Sequence, residues 1–150
     1  MTPPEVTLRP AETEDPDRVE ALLEANGLQS GEVRTKPDCF FVAESEGTVV
    51  GVGGVEARGS AGLLRSVVVR EASRGEGYGR ALCAALEDRA REGGIETLYL
   101  LTTSAAAFFR RNGYEAIPRE EAPASIRGTA QFADLCPDSA TAMRKGIQDA

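Results

Sequence analysis

The sequence predicts one α/β domain, built from a single mixed sheet with helices on its faces. Apolar runs of strand length alternate with amphipathic segments of helical spacing, in the order β-α-β-β-β-α-β-α-β. The chain has 150 residues, about the usual size of one domain, and no linker rich in Pro, Gly or Ser divides it. It is 41% hydrophobic and 27% charged, which is typical of a globular chain.

A strand and a helix open the chain. Residues 6–9 form the predicted strand. The helix begins at Asp15-Pro16, because Asp accepts a hydrogen bond from an unpaired amide and Pro suits the first helical position. Asn26-Gly27 ends it. Its apolar residues fall on one face: Val19, Leu22 and Leu23.

Three strands follow. The β-rich runs 40–44 and 48–56 are joined by Ser45-Glu46-Gly47, which predicts a hairpin. Residues 63–69, LLRSVVV, form a nearly continuous apolar run, as expected for a strand buried on both faces. Arg65 and Ser66 interrupt that run.

A glycine-rich segment, RGEGYGR at 74–80, leads into the second helix. Leu82 and Leu86 point inward from this helix, and Gly93-Gly94 ends it. Residues 98–101, LYLL, form the next buried strand.

The last third of the chain holds a short helix, a strand and a tail. Thr103 or Ser104 is expected to cap the helix, which closes at Gly113, and a strand follows at 115–117. The tail contains an amphipathic segment, 124–135, and a short closing run at 140–143.

The charge and residue counts exclude several function classes. The chain has no histidine, which rules out a Ser-His-Asp or Cys-His nucleophile and any histidine metal site within it. It carries 24 acidic and 17 basic residues, a net charge of −7, and no basic stripe is visible, so no nucleic-acid partner is expected.

The cysteines and apolar runs give no sign of a metal centre or a membrane span. Cys39, Cys83 and Cys136 are far apart and form no CxxC pair, so we expect small core residues rather than a zinc or disulfide framework. No run reaches the length of a signal peptide or a membrane span. We expect a soluble, cytoplasmic protein without a metal.

The segment with the most chemical information is the glycine-rich loop between a strand and a helix. Glycines at 75, 77 and 79 remove the Cβ atoms that would crowd a ligand, and the loop amides join the positive end of the helix dipole. Arg74 and Arg80 add charged donors. The Walker and dinucleotide patterns both fail. From spacing alone, a phosphate site and an unliganded surface turn remain open.

The loop also carries a family resemblance. The run from Arg74 to Gly79 follows the spacing Arg/Gln-x-x-Gly-x-Gly/Ala and resembles the acetyl-coenzyme A pyrophosphate loop of the GNAT N-acetyltransferase superfamily. VTLRPA near the N-terminus and AAAFFRRNGYEA at 105–116 are similar to the first strand and a late helix–strand segment of that family. The tail is similar to acetyltransferases of arsenic-resistance operons and to the N-acetylglutamate-synthase-like branch.

The resemblance implies a single GNAT domain over residues 1–150. Its fold is a mixed, mostly antiparallel sheet flanked by helices, with a splayed parallel strand pair at the cofactor site. The implied co-substrate is acetyl-CoA, held by the strand before the loop, the loop itself and the late helix. The implied residues are Val67, Val68, Val69, Arg74, Gly75, Glu76, Gly77, Tyr78, Gly79, Arg80, Thr103, Ala106 and Phe109.

The implied mechanism is direct attack of a neutral amine on the thioester, which needs a base and favours an acid. Glu44 and Glu56, at the ends of hairpin strands, are candidate bases through water, although their position favours solvated strand-end carboxylates over that role. The family often places a tyrosine acid where this sequence has Phe109. The candidate substitutes are Tyr114, Tyr99, Thr102 and Thr103, and departure of the thiolate without an acid remains an alternative.

An arginine inside a buried strand needs a partner, since an unpaired buried guanidinium is costly. For Arg65 that partner is either a neighbouring Glu or the carboxylate of a substrate, with Ser66 sharing the second task. The expected function is acetylation of the primary amine of a small, amino-acid-like molecule, with arsenic resistance as one role that the resemblance suggests. A protein or peptide N-acetyltransferase and a non-catalytic CoA-binding regulatory module remain alternatives. A homodimer would fit the family.

Overall fold

The computed structural model describes residues 6–10, 16–25, 40–70, 77–102, 105–129 and 140–147. Its strands are β1 (Thr7–Pro10), β2 (Phe40–Ser45), β3 (Thr48–Arg58), β4 (Ala61–Val69), β5 (Thr97–Thr102), β6 (Glu115–Ile117) and β7 (Thr141–Gly146). Its helices are α1 (Pro16–Ala25), α2 (Tyr78–Glu92), α3 (Ala106–Arg111) and α4 (Ala124–Arg127), with a 3-10 turn at Arg119–Glu121.

The described strands are hydrogen-bonded in the order β1-β2-β3-β4-β5-β7-β6. The β4–β5 pair is parallel, whereas β1–β2, β2–β3, β5–β7 and β6–β7 are antiparallel. This confirms the predicted mixed, mostly antiparallel sheet. Within the described ranges, none of the helices combines the length and the apolar character that crossing a membrane requires.

Contacts divide the chain into two compact units. The first unit comprises residues up to 55 together with 66–88, and the second comprises 56–65 together with the residues from 89 onward.

In the first unit, β1, β2 and β3 form an antiparallel meander. The β2–β3 turn uses Glu46 (φ 52°) and Gly47 (φ 79°), and two successive positive φ angles are the backbone of a two-residue hairpin turn. The predicted hairpin is therefore confirmed. The apolar face of α1 is confirmed as well, since Val19 and Leu23 are fully buried. The core cluster contains Val19, Leu23, Phe40, Val42, Val49, Val52 and Val68.

Two glycines of β3 allow α2 to pack closely on the sheet of the first unit. A Cβ added to Gly53 would lie 2.5 Å from Cδ1 of Leu86, and one added to Gly51 would collide with the carbonyl oxygen of Val68. Leu82 and Leu86 are buried, as the sequence predicts. On the same helix Cys83 is a buried free thiol.

In the second unit, β4 and β5 pair through Ala61–Thr97, Gly62–Leu98 and Leu63–Tyr99. The predicted glycine stop of α2 is confirmed, because the helix ends at Glu92 and Gly94 has φ 89°. The core cluster of this unit joins strand residues to the segment around α4: Ala61, Leu63, Tyr99, Ala122, Ile126 and Ala142.

The closing strand β7 is the main difference from the sequence prediction, which placed only a short run at 140–143. Residues 141–146 pair with β5 on one side and β6 on the other. Their local pattern is a weak strand signal, because Arg144, Lys145 and Gly146 follow only two apolar residues. Hydrogen bonds on both edges, rather than local propensity, hold this segment in the sheet.

Two smaller differences lie at helix ends. The N-cap of α3 is Ala105, whose N–H donates to Oγ1 of Thr102 at 3.0 Å, rather than Thr103 or Ser104. The predicted amphipathic segment 124–135 contributes a four-residue helix, α4, and its residues 130–135 lie outside the described part of the chain.

Candidate active site

In the first unit, the candidate cofactor site begins at the end of β4. The register of the parallel ladder ends at Leu63 with Tyr99 in the described residues, whereas β4 continues for six residues to Val69. Of the three predicted cofactor residues at this end, Val68 is buried and Val67 and Val69 are half-buried. The backbone N–H of Arg70 then donates to the carbonyl of Val50 at 2.7 Å, which ties the exit of β4 to β3. The parallel strand pair that the sequence predicts is therefore present.

The N-terminus of α2 has the geometry of an anion site. Gly77 precedes the helix with φ 85°, a conformation that side chains with a Cβ rarely adopt, and it is exposed. The first amides of a helix have no carbonyl partner within it, so Tyr78, Gly79 and Arg80 present N–H groups at its positive end. The first turn of α2 contains no acidic residue that would compete for them.

The Tyr78 side chain is directed to the neighbouring hairpin. Its hydroxyl donates to Oγ of Ser45 at 3.5 Å. Tyr78 therefore offers its backbone amide, rather than its hydroxyl, to an anion at the helix start. The preceding residues of the predicted loop, Arg74, Gly75 and Glu76, lie outside the described residues.

In the second unit, α3 carries an aromatic cluster. The Phe109 ring, in a residue only 8% exposed, packs edge-on against Phe108 at 5.2 Å and against Tyr114 at 5.5 Å between centroids. The Tyr114 ring also lies under Nζ of Lys145, at 5.6 Å. Ala106, by contrast, is half-buried on α3, and Thr103 lies outside the described residues. The cluster joins α3 to the residue before β6 and, through Lys145, to β7.

A buried cluster of charged side chains lies on β3 and β4 of the second unit. Oε1 of Glu56 is 3.4 Å from Nη1 of Arg65, and the two side chains are 6% and 2% exposed. Oε2 of Glu56 accepts from Nε and Nη2 of Arg58 at 3.1 Å and 2.5 Å. A neighbouring Glu, one of the two partners foreseen for Arg65, is therefore present. The Ser66 side chain lies outside the described part of the chain.

The other candidate base, Glu44, has a different environment in the first unit. It is 30% exposed and lies 3.4 Å from Nε of Arg9 on the edge strand β1. The β2–β3 register shifts at Ala43/Glu44, a bulge at the end of β2. A bulge commonly re-aims a side chain, so Glu44 is placed by a local irregularity of the strand.

Sequence reasoning missed Arg58 as a partner of Glu56. The signal was present, because residues two apart on a strand point to the same face and Glu56 and Arg58 have that spacing. The bond from Ala105 to Thr102 Oγ1 was missed too, and it has no comparable signal.

Comparison with known sequences agrees with this arrangement. The family model described as "Acetyltransferase (GNAT) domain" matches residues 36–116, just over half of the chain. The chain is 35% identical over 98 residues to the IAA acetyltransferase of Azospirillum brasilense, covering 61% of this chain and 64% of that protein. It is 36% identical over 88 residues to the amino-acid acetyltransferase of Pseudomonas fluorescens, covering 57% of this chain and 20% of that protein. The chain thus spans less than two thirds of either relative.

Solved structures share the fold. N-acetylglutamate synthase from Neisseria gonorrhoeae, complexed with coenzyme A and N-acetyl-glutamate, superposes with a TM-score of 0.81 at 22% identity, over 96% of this chain and 35% of that one. Rv2747 from Mycobacterium tuberculosis, in complex with CoA, superposes with a TM-score of 0.77 at 24% identity, over 93% of this chain and 98% of that one. The family model begins before β2 and reaches into β6, so it includes the elements on both sides of the glycine-rich loop, and the chain belongs to the GNAT acetyltransferase family.

Proposed function

We propose that the chain is an acetyl-CoA-dependent N-acetyltransferase that modifies the primary amine of a small, amino-acid-like molecule. The observation that carries the proposal is the start of α2, where Gly77 at φ 85° exposes a row of helix amides directly after the loop that follows β4. Such a row, with no acidic side chain in the first turn, suits a pyrophosphate. Acetyl-CoA, when bound, supplies the thioester carbonyl that the amine attacks.

The chain's own residues would hold the co-substrate at two places. The amides of Tyr78, Gly79 and Arg80, with Arg74, Gly75, Glu76 and Gly77 of the loop, are proposed to bind the pyrophosphate. The backbone of Val67, Val68 and Val69 is proposed to orient the pantetheine arm, and Thr103, Ala106 and Phe109 to lie beside it. The continuation of β4 past the last ladder pair, Leu63–Tyr99, supports this assignment.

Glu44 is the better supported of the two candidate bases. A base must keep an oxygen that accepts a proton, directly or through water. Both oxygens of Glu56 face guanidinium groups and the residue is 4% exposed, whereas Glu44 is a third exposed and has one ion pair, to Arg9, among the described residues. These environments support Glu44 as the base and Glu56 as the residue that positions Arg65.

Arg65 and Ser66 are proposed to contact the carboxylate of the substrate. Because the Arg65 guanidinium already faces Glu56, a substrate carboxylate would share it with that side chain. The names of the relatives, an amino-acid acetyltransferase and an N-acetylglutamate synthase, support an amino acid or a close analogue.

Tyr114 is proposed as the acid that protonates the leaving thiolate. The Tyr114→Phe variant tests this role cleanly, because it keeps the ring that packs against Phe109 and removes only the hydroxyl. A fall in kcat with unchanged stability would support it, and an unchanged kcat would remove Tyr114 from the mechanism.

The activity is tested by thiol release from acetyl-CoA over a panel of amino acids, amino-acid analogues, polyamines and peptides. We expect turnover with members of the first two groups. Turnover with peptides alone would indicate a protein or peptide N-acetyltransferase. If no member of the panel causes thiol release although the protein still binds CoA, the chain would be a non-catalytic regulatory module.

The cofactor assignment is tested by titration calorimetry with acetyl-CoA. Gly77→Glu places a carboxylate and a Cβ at the proposed pyrophosphate site, and we expect affinity to fall by at least about 100-fold. Gly59→Glu is the matched control, since Gly59 is also exposed in a turn with φ 70° and has nothing within 4 Å of an added Cβ. Equal affinities in both variants would show that the loop does not bind the co-substrate.

A further inference from the structure

A polar groove lies in the second unit, at the end of the sheet where β5 begins. Its volume is about 460 Å³, enough for a small metabolite. We call it the β6–β7 groove. It is lined by Thr97, Tyr99, Gly113, Glu115, Arg144, Lys145 and Gly146.

The groove is built by a row of three residues that face each other across neighbouring strands. Tyr99 of β5 lies opposite Arg144 of β7, and Arg144 lies opposite Glu115 of β6. Residues directly opposite in a ladder project from the same face of the sheet, so an aromatic ring, a guanidinium and a carboxylate stand side by side.

The floor of the groove is open at Gly146. This residue lies opposite Thr97 and two positions after Arg144, so its missing side chain would project from the same face. Among the described residues, nothing lies within 4 Å of a Cβ added there. The glycine leaves space that a side chain would fill.

The Arg144 guanidinium has more N–H groups than its contacts with described residues use. Among the described residues it makes one hydrogen bond, from Nε to Oε1 of Glu115 at 2.8 Å, and a longer ion pair from Nη1 to Oε2 of Glu121 at 3.8 Å. That hydrogen bond to Glu115 raises the pKa of Arg144, which keeps the group cationic. The N–H groups on its two terminal nitrogens have the fork geometry that binds a carboxylate, and its side chain is 38% exposed.

The charges around the groove balance. Arg144 and Lys145 are positive, and Glu115 and Glu121 are negative. Nζ of Lys145 donates to the carbonyl of Asn112 at 2.9 Å. A simple anion would meet the two carboxylates and a simple cation would meet the guanidinium, whereas a molecule with both charges close together can satisfy both.

We propose that the β6–β7 groove binds the ammonium and carboxylate groups of a free α-amino acid, with the carboxylate on Arg144 and the ammonium on Glu115. Gly146 gives the ligand room, and Tyr99, which is 9% exposed, lines the groove beside it. Within the second unit the groove differs in position from α3. The groove residues of β5 are Thr97 and Tyr99, whereas α3 follows Thr102, three residues or about 10 Å beyond Tyr99 along the strand. Tyr114 adjoins Glu115 in the chain, but its ring packs against Phe109 of α3.

The test is a titration of the full chain, labelled with ¹⁵N, with each of the common L-amino acids at about 10 mM. We expect at least one of them to shift the backbone amide signals of Gly113, Glu115 and Gly146. Acetate carries only the negative charge and methylamine only the positive one. Each should bind at least about tenfold more weakly than the amino acid. If no amino acid shifts these signals, or if acetate shifts them equally well, the proposal is wrong.

Two variants locate the site. Gly146→Val fills the floor, and Arg144→Gln removes the charged fork while keeping a polar side chain. Each should weaken binding about tenfold or more. Gly93→Val is the matched control, because Gly93 is exposed, has ordinary clearance around an added Cβ and lies outside the groove.

Unchanged affinity in Arg144→Gln would overturn the proposal even if Gly146→Val failed to fold. The readout is independent of catalysis, because the shifted amides report the groove itself. Failure of the thiol-release assay would therefore leave this result standing.

Discussion

Two arginine–glutamate pairs of this protein share a distance and differ in burial. Arg9 and Glu44 in the first unit, and Arg65 and Glu56 in the second, each have a closest N–O separation of 3.4 Å. The side chains of the first pair are 32% and 30% exposed, and those of the second are 2% and 6% exposed. If the N–O distance alone determined the contribution of an ion pair to stability, the two pairs would contribute equally.

Burial separates their physical roles. A partly exposed pair gains little, because water already solvates both charges and salt screens them. A buried pair gives little net stability as a pair, but removing one partner leaves a charge in a medium that cannot solvate it. The comparison therefore predicts a large loss of stability when the Arg65–Glu56 pair is broken and a small loss when the Arg9–Glu44 pair is broken.

The largest effect is expected for Arg65→Met. This change removes the buried guanidinium and should lower the free energy of unfolding by about 3 kcal/mol, the lower part of the range for broken buried pairs, because Arg58 still faces Glu56. Urea denaturation with an unchanged m-value measures it.

The double variant Arg65→Met/Glu56→Leu is the control for that measurement. If an isolated buried charge causes the loss, removing the second charge should restore much of the stability. Additive losses would mean that packing of the Arg65 side chain, rather than its charge, is what the single variant removes. In folded Arg65→Met protein, a raised KM for carboxylate substrates alone would support the proposed substrate contact.

The next effect concerns catalysis and tests the choice of base. Glu44→Gln should lower kcat by about 100-fold, or about 2.7 kcal/mol in activation free energy, because the amide cannot accept the proton of the amine. Stability should change little, since Glu44 is half-buried with one ion pair among the described residues. An unchanged kcat in this variant would mean that another group is the base.

Part of this comparison could be predicted from the sequence and part could not. Glu46-Gly47, Gly94 and the start of α2 were predictable because a turn or a helix end depends on a few neighbouring residues. It was predictable that Arg65 needs a partner, because it lies within the apolar run 63–69, where a guanidinium is buried. Its actual partner was not, since Glu56 lies on another strand and the pairing depends on register.

The same reason explains the strand β7 and the groove beside it. The segment 141–146 has little strand character of its own, and only its pairing with β5 and β6 brings Arg144 between Tyr99 and Glu115. No pattern along the chain indicates that neighbourhood.

A smaller effect is expected for Arg58→Met. Arg58 donates two hydrogen bonds to Glu56, but its side chain is 37% exposed, so water can replace part of what is lost. We expect a loss of about 1 kcal/mol in the free energy of unfolding. A loss as large as that of Arg65→Met would mean that the two guanidinium groups contribute equally to stability, and that the greater exposure of Arg58 does not reduce its contribution.

The smallest effect is expected for Arg9→Gln, and it tests the comparison most directly. The variant removes an arginine at the same 3.4 Å from a glutamate as Arg65, but in a pair that is about a third exposed. We expect a loss of about 0.5 kcal/mol at low salt, falling toward zero at about 1 M salt, where the screening length is about 3 Å. The loss in Arg65→Met should keep its size over the same range of salt, because the buried pair is screened much less. Equal losses in the two variants, or a salt dependence common to both, would mean that distance rather than burial determines what these ion pairs contribute.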